Sequence, residues 1–171
     1  HFLSGSPLIA AVHTVHQDAV RVFGTTGTGR RLAVGNDELT TGKVVDTNSV
    51  FIADRLFSIG IKVAAVLKVG DDREKLLWAM RQAAGLGEVV IGTGGLGPTA
   101  DDLTSEVVAE LLGCPLVQNE EIAAALRKRF EVRGIPWTAN NLKQALFPQG
   151  AEILPNPLGT APGFRVSLGE N

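Results

Sequence analysis

The stretch that decides the fold is Thr93-Gly94-Gly95-Leu96-Gly97-Pro98-Thr99-Ala100-Asp101-Asp102-Leu103-Thr104, which we call the glycine-rich loop (residues 93–104). A short, β-branched apolar run precedes it at residues 88–91, and a segment with helical periodicity follows it at residues 104–112. Glycines between a strand and a helix let the backbone approach a phosphate closely and direct N–H groups at it. Because the following helix adds the positive end of its dipole, the loop predicts an anion-binding site.

Two consecutive carboxylates, Asp101 and Asp102, lie inside this predicted anion site. Like charges repel, so a divalent cation that bridges aspartate and phosphate oxygens would resolve the conflict. The alternative is that Asp102 caps the following helix and that Asp101 is solvated. The adjacent glycines favour a functional role for at least one of the two carboxylates.

From residue 31 onward, short apolar runs alternate with amphipathic segments, a pattern typical of a parallel sheet covered by helices. Strands are predicted at residues 31–34, 61–69, 88–91 and 151–154, and another begins at residues 164–166. Helices are predicted at residues 48–59, 71–85, 104–112 and 119–134, with a short helical turn at residues 140–145. We expect residues 1–30 to be a leader or an unassigned connector.

Acidic pairs also follow the first two predicted strands. Asp37-Glu38 comes after residues 31–34, and Asp71-Asp72 comes after residues 61–69. Parallel strands place their carboxyl ends at one edge of a sheet, so we expect these pairs to share an edge with the glycine-rich loop. Each pair alone is more typical of a turn or a helix cap, and their common edge is what indicates a metal-bridged phosphate site.

Composition restricts the class of protein. The chain has 171 residues, which suits one domain, and its 44% hydrophobic and 20% charged residues are close to the globular average. A net charge of -2 without a block of Lys or Arg disfavours a nucleic-acid partner. No segment approaches the ~20 apolar residues of a membrane span. The single cysteine, Cys114, excludes an internal disulfide, so we expect a soluble cytoplasmic protein.

Several segments beside the glycine-rich loop carry a family resemblance: residues 37–42, 46–48, 69–72, 141–145 and 156–163. With these segments the chain resembles the N-terminal domain of CinA-type competence/damage-inducible proteins, a branch of the MoaB/Mog molybdopterin-binding fold. The run Gly-Gly-Leu-Gly-Pro-Thr-x-Asp-Asp-Leu-Thr is specific for the wider fold, and Asn-Pro-Leu-Gly-Thr-Ala-Pro-Gly selects the CinA branch. We therefore assign residues 31–171 to this nucleotide-binding domain.

The resemblance implies a three-layer α/β/α fold with a mostly parallel sheet. It also implies a pyrophosphatase that hydrolyses ADP-ribose to AMP and ribose 5-phosphate with a divalent metal ion (Mg, Mn, Co or Ni). Carried over by position, the catalytic residues are Asp101, Asp102 and Glu38, and the metal ligands are Asp71, Asp101 and Asp102. The residues implied to bind the nucleotide are Asp46, Asn48, Thr93, Gly94, Gly95, Gly97, Pro98, Thr99, Thr104, Lys143, Asn156, Gly159 and Thr160. Relatives of this fold form homo-oligomers, so we expect one here.

The chain departs from the family pattern in three places. The segment Gly35-Asn36-Asp37-Glu38-Leu39-Thr40-Thr41-Gly42 is one residue longer than the usual family segment, which affects the placement of Glu38. The family's Leu-Pro-Gly-x-Pro segment and the C-terminal nicotinamide-nucleotide deamidase domain have no counterpart, so we expect a domain truncated at its C-terminus. Residues 1–30 match no family segment.

Two alternatives to the pyrophosphatase stay open. One is a molybdopterin-binding protein of molybdenum cofactor biosynthesis, since that ligand also presents a phosphate to the loop. The other is a non-catalytic nucleotide-binding module that supports a missing deamidase domain.

Overall fold

The computed structural model describes residues 8–12, 21–25, 47–157 and 159–168. The helices are α1 (Thr47–Ser58), α2 (Arg73–Leu86), α3 (Thr104–Leu112) and α4 (Glu120–Val132), with a 3-10 helix at Ala139–Ala145. The strands are β1 (Leu8–Val12), β2 (Arg21–Thr25), β3 (Val63–Leu67), β4 (Val89–Thr93), β5 (Leu116–Gln118), β6 (Leu146–Pro148), β7 (Glu152–Leu154) and β8 (Gly163–Ser167).

The central sheet has six strands in the order β3-β2-β4-β1-β8-β7. Within the part of the chain that the structure describes, β1 and β4 form the only parallel pair, and the other four pairs are antiparallel. The α/β class is confirmed, but the predicted mostly parallel sheet is corrected to a mixed one. The reason is that β2 lies in the reverse direction between β3 and β4, while β8 returns beside β1 after β7.

Two of these strands come from residues 1–30, where we expected a leader or connector. Strand β1 lies inside the sheet between β4 and β8, and its Ile9 is fully buried. The run Leu8-Ile9-Ala10-Ala11-Val12 is short enough for a buried strand, although it has no alternation to reveal one. The strand predicted at residues 31–34 lies outside the described residues.

Helices cover both faces of the sheet, which gives the predicted three layers. Val90 and Ile91 are neighbours in β4, so their side chains point to opposite faces. Val90 belongs to the large apolar core, whereas Ile91 packs with Val63 of β3 and with α1. The buried residues of the large core include Ile9, Leu76, Met80, Val90, Val107, Val108, Phe164 and Val166. Helices α2 and α3 therefore lie on one face of the sheet and α1 on the other.

The helix boundaries follow the residues that predicted them. Helix α3 spans residues 104–112, as predicted, and Gly113 ends it in the left-handed conformation, with φ 65°. The Asp72 side chain caps α2 by accepting from the Lys75 N–H at 2.9 Å. Asn119 caps α4 by accepting from the Ile122 N–H at 3.0 Å. Among the described residues, no helix combines the length and the apolar character that crossing a membrane requires.

A second, two-stranded sheet was not predicted, and it positions the candidate site. Strands β5 and β6 pair in antiparallel fashion, with Val117 opposite Phe147. The Asn119 N–H also donates to the Ala145 carbonyl at 2.9 Å. These bonds fix the C-terminal end of the 3-10 helix beside the start of α4, and Leu142 and Ala145 pack against α4. As a result, Lys143 of the 3-10 helix reaches the glycine-rich loop.

Candidate functional site

The glycine-rich loop leaves the end of β4 through two left-handed residues. Gly94 has φ 89° and Gly95 has φ 65°, a conformation that residues with a Cβ atom rarely adopt. Thr104 holds both glycines from the start of α3. Its N–H donates to the Gly95 carbonyl at 3.1 Å, and its hydroxyl donates to the Gly94 carbonyl at 2.9 Å. The backbone shape that the sequence predicted is therefore fixed by the helix that follows it.

Thr104 has a positioning role in this arrangement. Its side chain is completely buried, and its hydroxyl donates its proton to Gly94. The predicted contact between Thr104 and a nucleotide is thereby replaced by a contact with the loop itself. Thr93 is also completely buried, and its hydroxyl has no hydrogen-bond partner among the described residues.

Replacing Thr104 with valine tests this positioning role. Valine keeps the shape of the side chain but cannot donate to Gly94, so we expect the free energy of unfolding to fall by about 1–2 kcal/mol in urea denaturation. Thr104→Ser is the matched control, because it keeps the hydroxyl and loses only the methyl group. A valine variant that is as stable as wild type would contradict the role given to the hydroxyl.

Asp102 stabilises the second half of the glycine-rich loop by accepting two hydrogen bonds from Thr99. Its Oδ2 accepts from the Thr99 N–H at 2.8 Å and from the Thr99 hydroxyl at 2.7 Å. The first residue of α3 is preceded by Leu103, which makes no side-chain capping bond. The alternative in which Asp102 caps the helix is therefore wrong, since its carboxylate binds Thr99 instead. Thr99, predicted to bind phosphate, donates its amide and hydroxyl protons to Asp102.

Gly97 lies directly against this carboxylate. A Cβ atom added at Gly97 would meet the Asp102 Oδ2 at 2.5 Å and its Cγ at 2.9 Å. Asp101, which directly precedes Asp102 in the chain, is exposed. The two carboxylates therefore differ, because Asp102 shapes the loop and Asp101 faces solvent.

Lys143 reaches the glycine-rich loop from the 3-10 helix. Its Nζ lies 3.1 Å from the Thr99 carbonyl and 3.0 Å from Glu106 Oε1, in the first turn of α3. Lys143 and Glu106 line a small pocket with Asp102 and Ser105, and its other lining residues are Gly95, Leu96, Gly97, Leu116 and Leu146. The pocket thus combines loop backbone, two carboxylates and one ammonium group.

The described residues of the loop at 156–157 and 159–163 are held against α4. The Asn156 amide donates to the Ala161 carbonyl at 2.8 Å, and its Oδ1 accepts from the Gly159 N–H at 2.8 Å. The Arg129 guanidinium donates to the Gly159 carbonyl. Between this loop and α4 lies a mainly apolar cavity of about 190 Å³, which Thr160 also lines. The contacts of Asn156 and Gly159 thus shape their own loop and join it to α4.

The predicted acidic edge is present in part. Strands β3 and β4 both run antiparallel to β2, so they end at the same edge of the sheet, with Asp71 after β3. Since β2 lies between them, the two strand ends are about 10 Å apart. No group of three or more His, Cys, Asp or Glu within the described ranges is placed to hold a metal ion. Asp71 is therefore not brought together with Asp101 and Asp102.

Four other positions were predicted to belong to the site. Asn48 lies in the first turn of α1, on the opposite face of the sheet from α3. Glu38 and Asp46 lie outside the described residues, so their predicted roles stay predictions. Pro98 lies in the loop between Gly97 and Thr99.

Comparison with known proteins places this geometry in a family. A family model described as "Probable molybdopterin binding domain" matches residues 32–170. A CinA-like protein from Anaeromyxobacter sp. (strain Fw109-5) is 52% identical over 133 residues, which cover 78% of this chain and 32% of that protein. A crystal structure of the protein CinA, of unknown function, from Thermoplasma acidophilum matches with a TM-score of 0.69 at 34% identity, covering 80% of this chain and 78% of that chain.

The chain belongs to the CinA family. A CinA-like protein from Myxococcus xanthus (strain DK1622) is also similar, with 43% identity over 133 residues that cover 78% of this chain and 32% of that protein. This CinA-family domain spans about a third of the length of the curated relatives it matches. The predicted resemblance and the molybdopterin-binding-like domain are confirmed.

Sequence reasoning missed Glu106 in this CinA-family site. The predicted start of α3 at Thr104 puts Glu106 in the first turn of the helix, next to the loop, and that position was the available signal. Its pairing with Lys143 was not visible in the sequence, because the two residues come from separate segments of the chain.

Proposed function

We propose that this CinA-family domain is a metal-dependent nucleotide pyrophosphatase that hydrolyses ADP-ribose to AMP and ribose 5-phosphate. The observation that carries the proposal is the small pocket beside the glycine-rich loop, which Gly95, Gly97, Asp102 and Lys143 line together, with Asp101 exposed next to Asp102 in the chain. A pyrophosphate presents several anionic oxygens in a short length. Backbone N–H groups, an ammonium and a bridging cation are the groups that bind such oxygens.

The loop carboxylates fit a divalent cation that arrives with a nucleotide. Mg²⁺ bound in this way commonly takes one or two carboxylates and completes its shell with phosphate oxygens and waters. Asp101 is exposed, and the described hydrogen bonds of Asp102 use Oδ2. These two residues would hold the cation, which supplies charge neutralisation and a more acidic bound water.

The protein's own residues orient and neutralise the substrate. The backbone at Gly94 and Gly95 positions a phosphate at the end of β4, and Lys143 offsets its negative charge. Asp101 accepts a proton from the attacking water, whose oxygen bonds to one phosphorus as the bridging P–O bond breaks. One water is consumed, and AMP and ribose 5-phosphate leave as the two products. Glu38 lies outside the described residues, and its catalytic role is proposed on the family resemblance alone.

Molybdopterin binding is the second candidate function, and the description of the matching family model favours it. Molybdopterin also carries a phosphate, so the same loop backbone suits either ligand. The two candidates differ in what the aspartates do, because binding a phosphate monoester requires no attacking water. A nucleotide-binding module without turnover is the remaining possibility.

Product analysis combined with calorimetry separates these functions. Purified protein is incubated with ADP-ribose and, in separate reactions, Mg²⁺, Mn²⁺, Co²⁺ or Ni²⁺, and the products are resolved by anion-exchange chromatography. The proposal expects AMP and ribose 5-phosphate in equal amounts and no product in chelator. Binding of molybdopterin without AMP formation would favour the second function. Binding of ADP-ribose with no turnover at any of the four metals would identify a non-catalytic module.

A further inference from the structure

Helix α3 and the 3-10 helix are in contact through the Lys143 ammonium group, which has two acceptors within hydrogen-bond distance. Lys143 Nζ lies 3.0 Å from Glu106 Oε1 and 3.1 Å from the Thr99 carbonyl oxygen. The Lys143 side chain is 23% exposed and that of Glu106 is 36% exposed. The ammonium therefore lies at the edge of the pocket, close to the loop backbone.

The N–H donors of the Lys143 ammonium group serve both protein acceptors and a ligand in the pocket. An ammonium has three N–H donors and no acceptor. Two of them are directed at Glu106 and Thr99, which leaves one for a ligand in the pocket that Lys143 lines. A lysine side chain is long and flexible, so its orientation depends on such acceptors. Of the two acceptors of Lys143, Glu106 and the Thr99 carbonyl, only Glu106 is charged.

We propose that Glu106 is a positioning residue that fixes the Lys143 ammonium beside the glycine-rich loop, where Lys143 binds a phosphate oxygen. The inference rests on the proposed function only in requiring that the pocket binds phosphate. Glu106 acts through Lys143, and it is the orientation of the lysine that the ligand experiences.

A second ion pair on the same helix provides a matched control. Glu110 lies one turn beyond Glu106 and pairs with Arg73 at 2.6 Å. Arg73 belongs to the start of α2, and neither residue lines the loop pocket. Partly exposed ion pairs contribute little to stability, so removing either pair should affect folding to a similar, small extent. Only the loss of Glu106 should affect phosphate binding.

The experiment uses the full chain and titrates inorganic pyrophosphate with Mg²⁺ by calorimetry. We expect Glu106→Gln to raise the Kd for pyrophosphate about tenfold, the size of one well-oriented hydrogen bond, and Glu110→Gln to leave the Kd unchanged. In the hydrolysis assay, Glu106→Gln should raise KM more than it lowers kcat. Lys143→Met should weaken pyrophosphate binding at least as much as Glu106→Gln does.

A charge exchange distinguishes positioning from a purely structural ion pair. The double variant Glu106→Lys with Lys143→Glu keeps the pair but moves the positive charge from the 3-10 helix to α3. Positioning predicts at least tenfold weaker pyrophosphate binding by the double variant, with a urea midpoint no lower than that of Lys143→Met, which also loses the bond to the Thr99 carbonyl. Wild-type binding by the double variant, or equal effects of Glu106→Gln and Glu110→Gln, would overturn the inference. If wild type binds pyrophosphate without hydrolysing ADP-ribose, the proposed function fails while the role of Glu106 is supported or overturned by these variants alone.

Discussion

Replacing Asp101 and Asp102 together with asparagine is expected to lower the rate of AMP formation from ADP-ribose by about 100-fold or more. Both carboxylates lie in the loop that is proposed to hold the cation and the attacking water, and such charge stabilisation accounts for several kcal/mol of a barrier. Asparagine keeps the size of each side chain and an oxygen that accepts from Thr99. The loss should therefore appear in kcat with a nearly unchanged urea midpoint.

Alanine variants of the same two residues separate chemistry from loop structure. Asp102→Ala removes the acceptor of two Thr99 hydrogen bonds, so it should lower both stability and activity. Asp101→Ala removes an exposed carboxylate, so it should lower activity alone. If both alanine variants hydrolysed ADP-ribose at the full rate, the metal role of the loop would be wrong.

Gly97→Ala is expected to abolish detectable ADP-ribose binding and to lower the free energy of unfolding by about 1–3 kcal/mol. The new Cβ atom would meet the Asp102 Oδ2 at 2.5 Å. That oxygen cannot move away without breaking its bonds to the Thr99 N–H and hydroxyl. One methyl group should thus displace both the Asp102 carboxylate and the loop. Calorimetry would measure the loss of ADP-ribose binding, and urea denaturation would measure the loss of stability.

Gly85→Ala is the matched control for this change. Gly85 lies near the end of α2, and a Cβ atom there has nothing within 4 Å. Since alanine favours a helix more than glycine does, we expect a gain of up to about 1 kcal/mol in stability and unchanged binding. Normal ADP-ribose affinity in Gly97→Ala would show that the loop can rearrange around Asp102 without losing its ligand.

The sequence predicted the elements whose signals are local. Helix α3 begins at Thr104 and ends before Gly113, and α4 follows Asn119, because apolar periodicity and capping residues mark these positions within a few residues. The glycine-rich loop was also predictable, since Gly94 and Gly95 follow an apolar strand directly. Local signals did not reveal β5 and β6, which are three residues each and are stabilised by pairing with one another.

The contacts within the candidate site were less predictable than the shape of its glycine-rich loop. Lys143 and Thr99 are 44 positions apart, and only the fold brings them within 3.1 Å. Thr104 was assigned to ligand binding by the family resemblance, yet its burial and its bond to Gly94 depend on how α3 packs. A mostly parallel sheet was predicted from the alternation of strands and helices. That alternation does not reveal that β2 lies between β3 and β4 and runs antiparallel to both.

A crystal structure of the protein soaked with ADP-ribose and Mn²⁺ tests the central claim most directly, because anomalous scattering locates the metal independently of the nucleotide. We predict that the pyrophosphate lies on the backbone of Gly94 to Gly97 with Lys143 Nζ on a phosphate oxygen. We also predict an anomalous peak within about 2.5 Å of an Asp101 or Asp102 oxygen. A nucleotide bound elsewhere, for example in the cavity between α4 and residues 156–163, with no metal at the loop, would contradict the account.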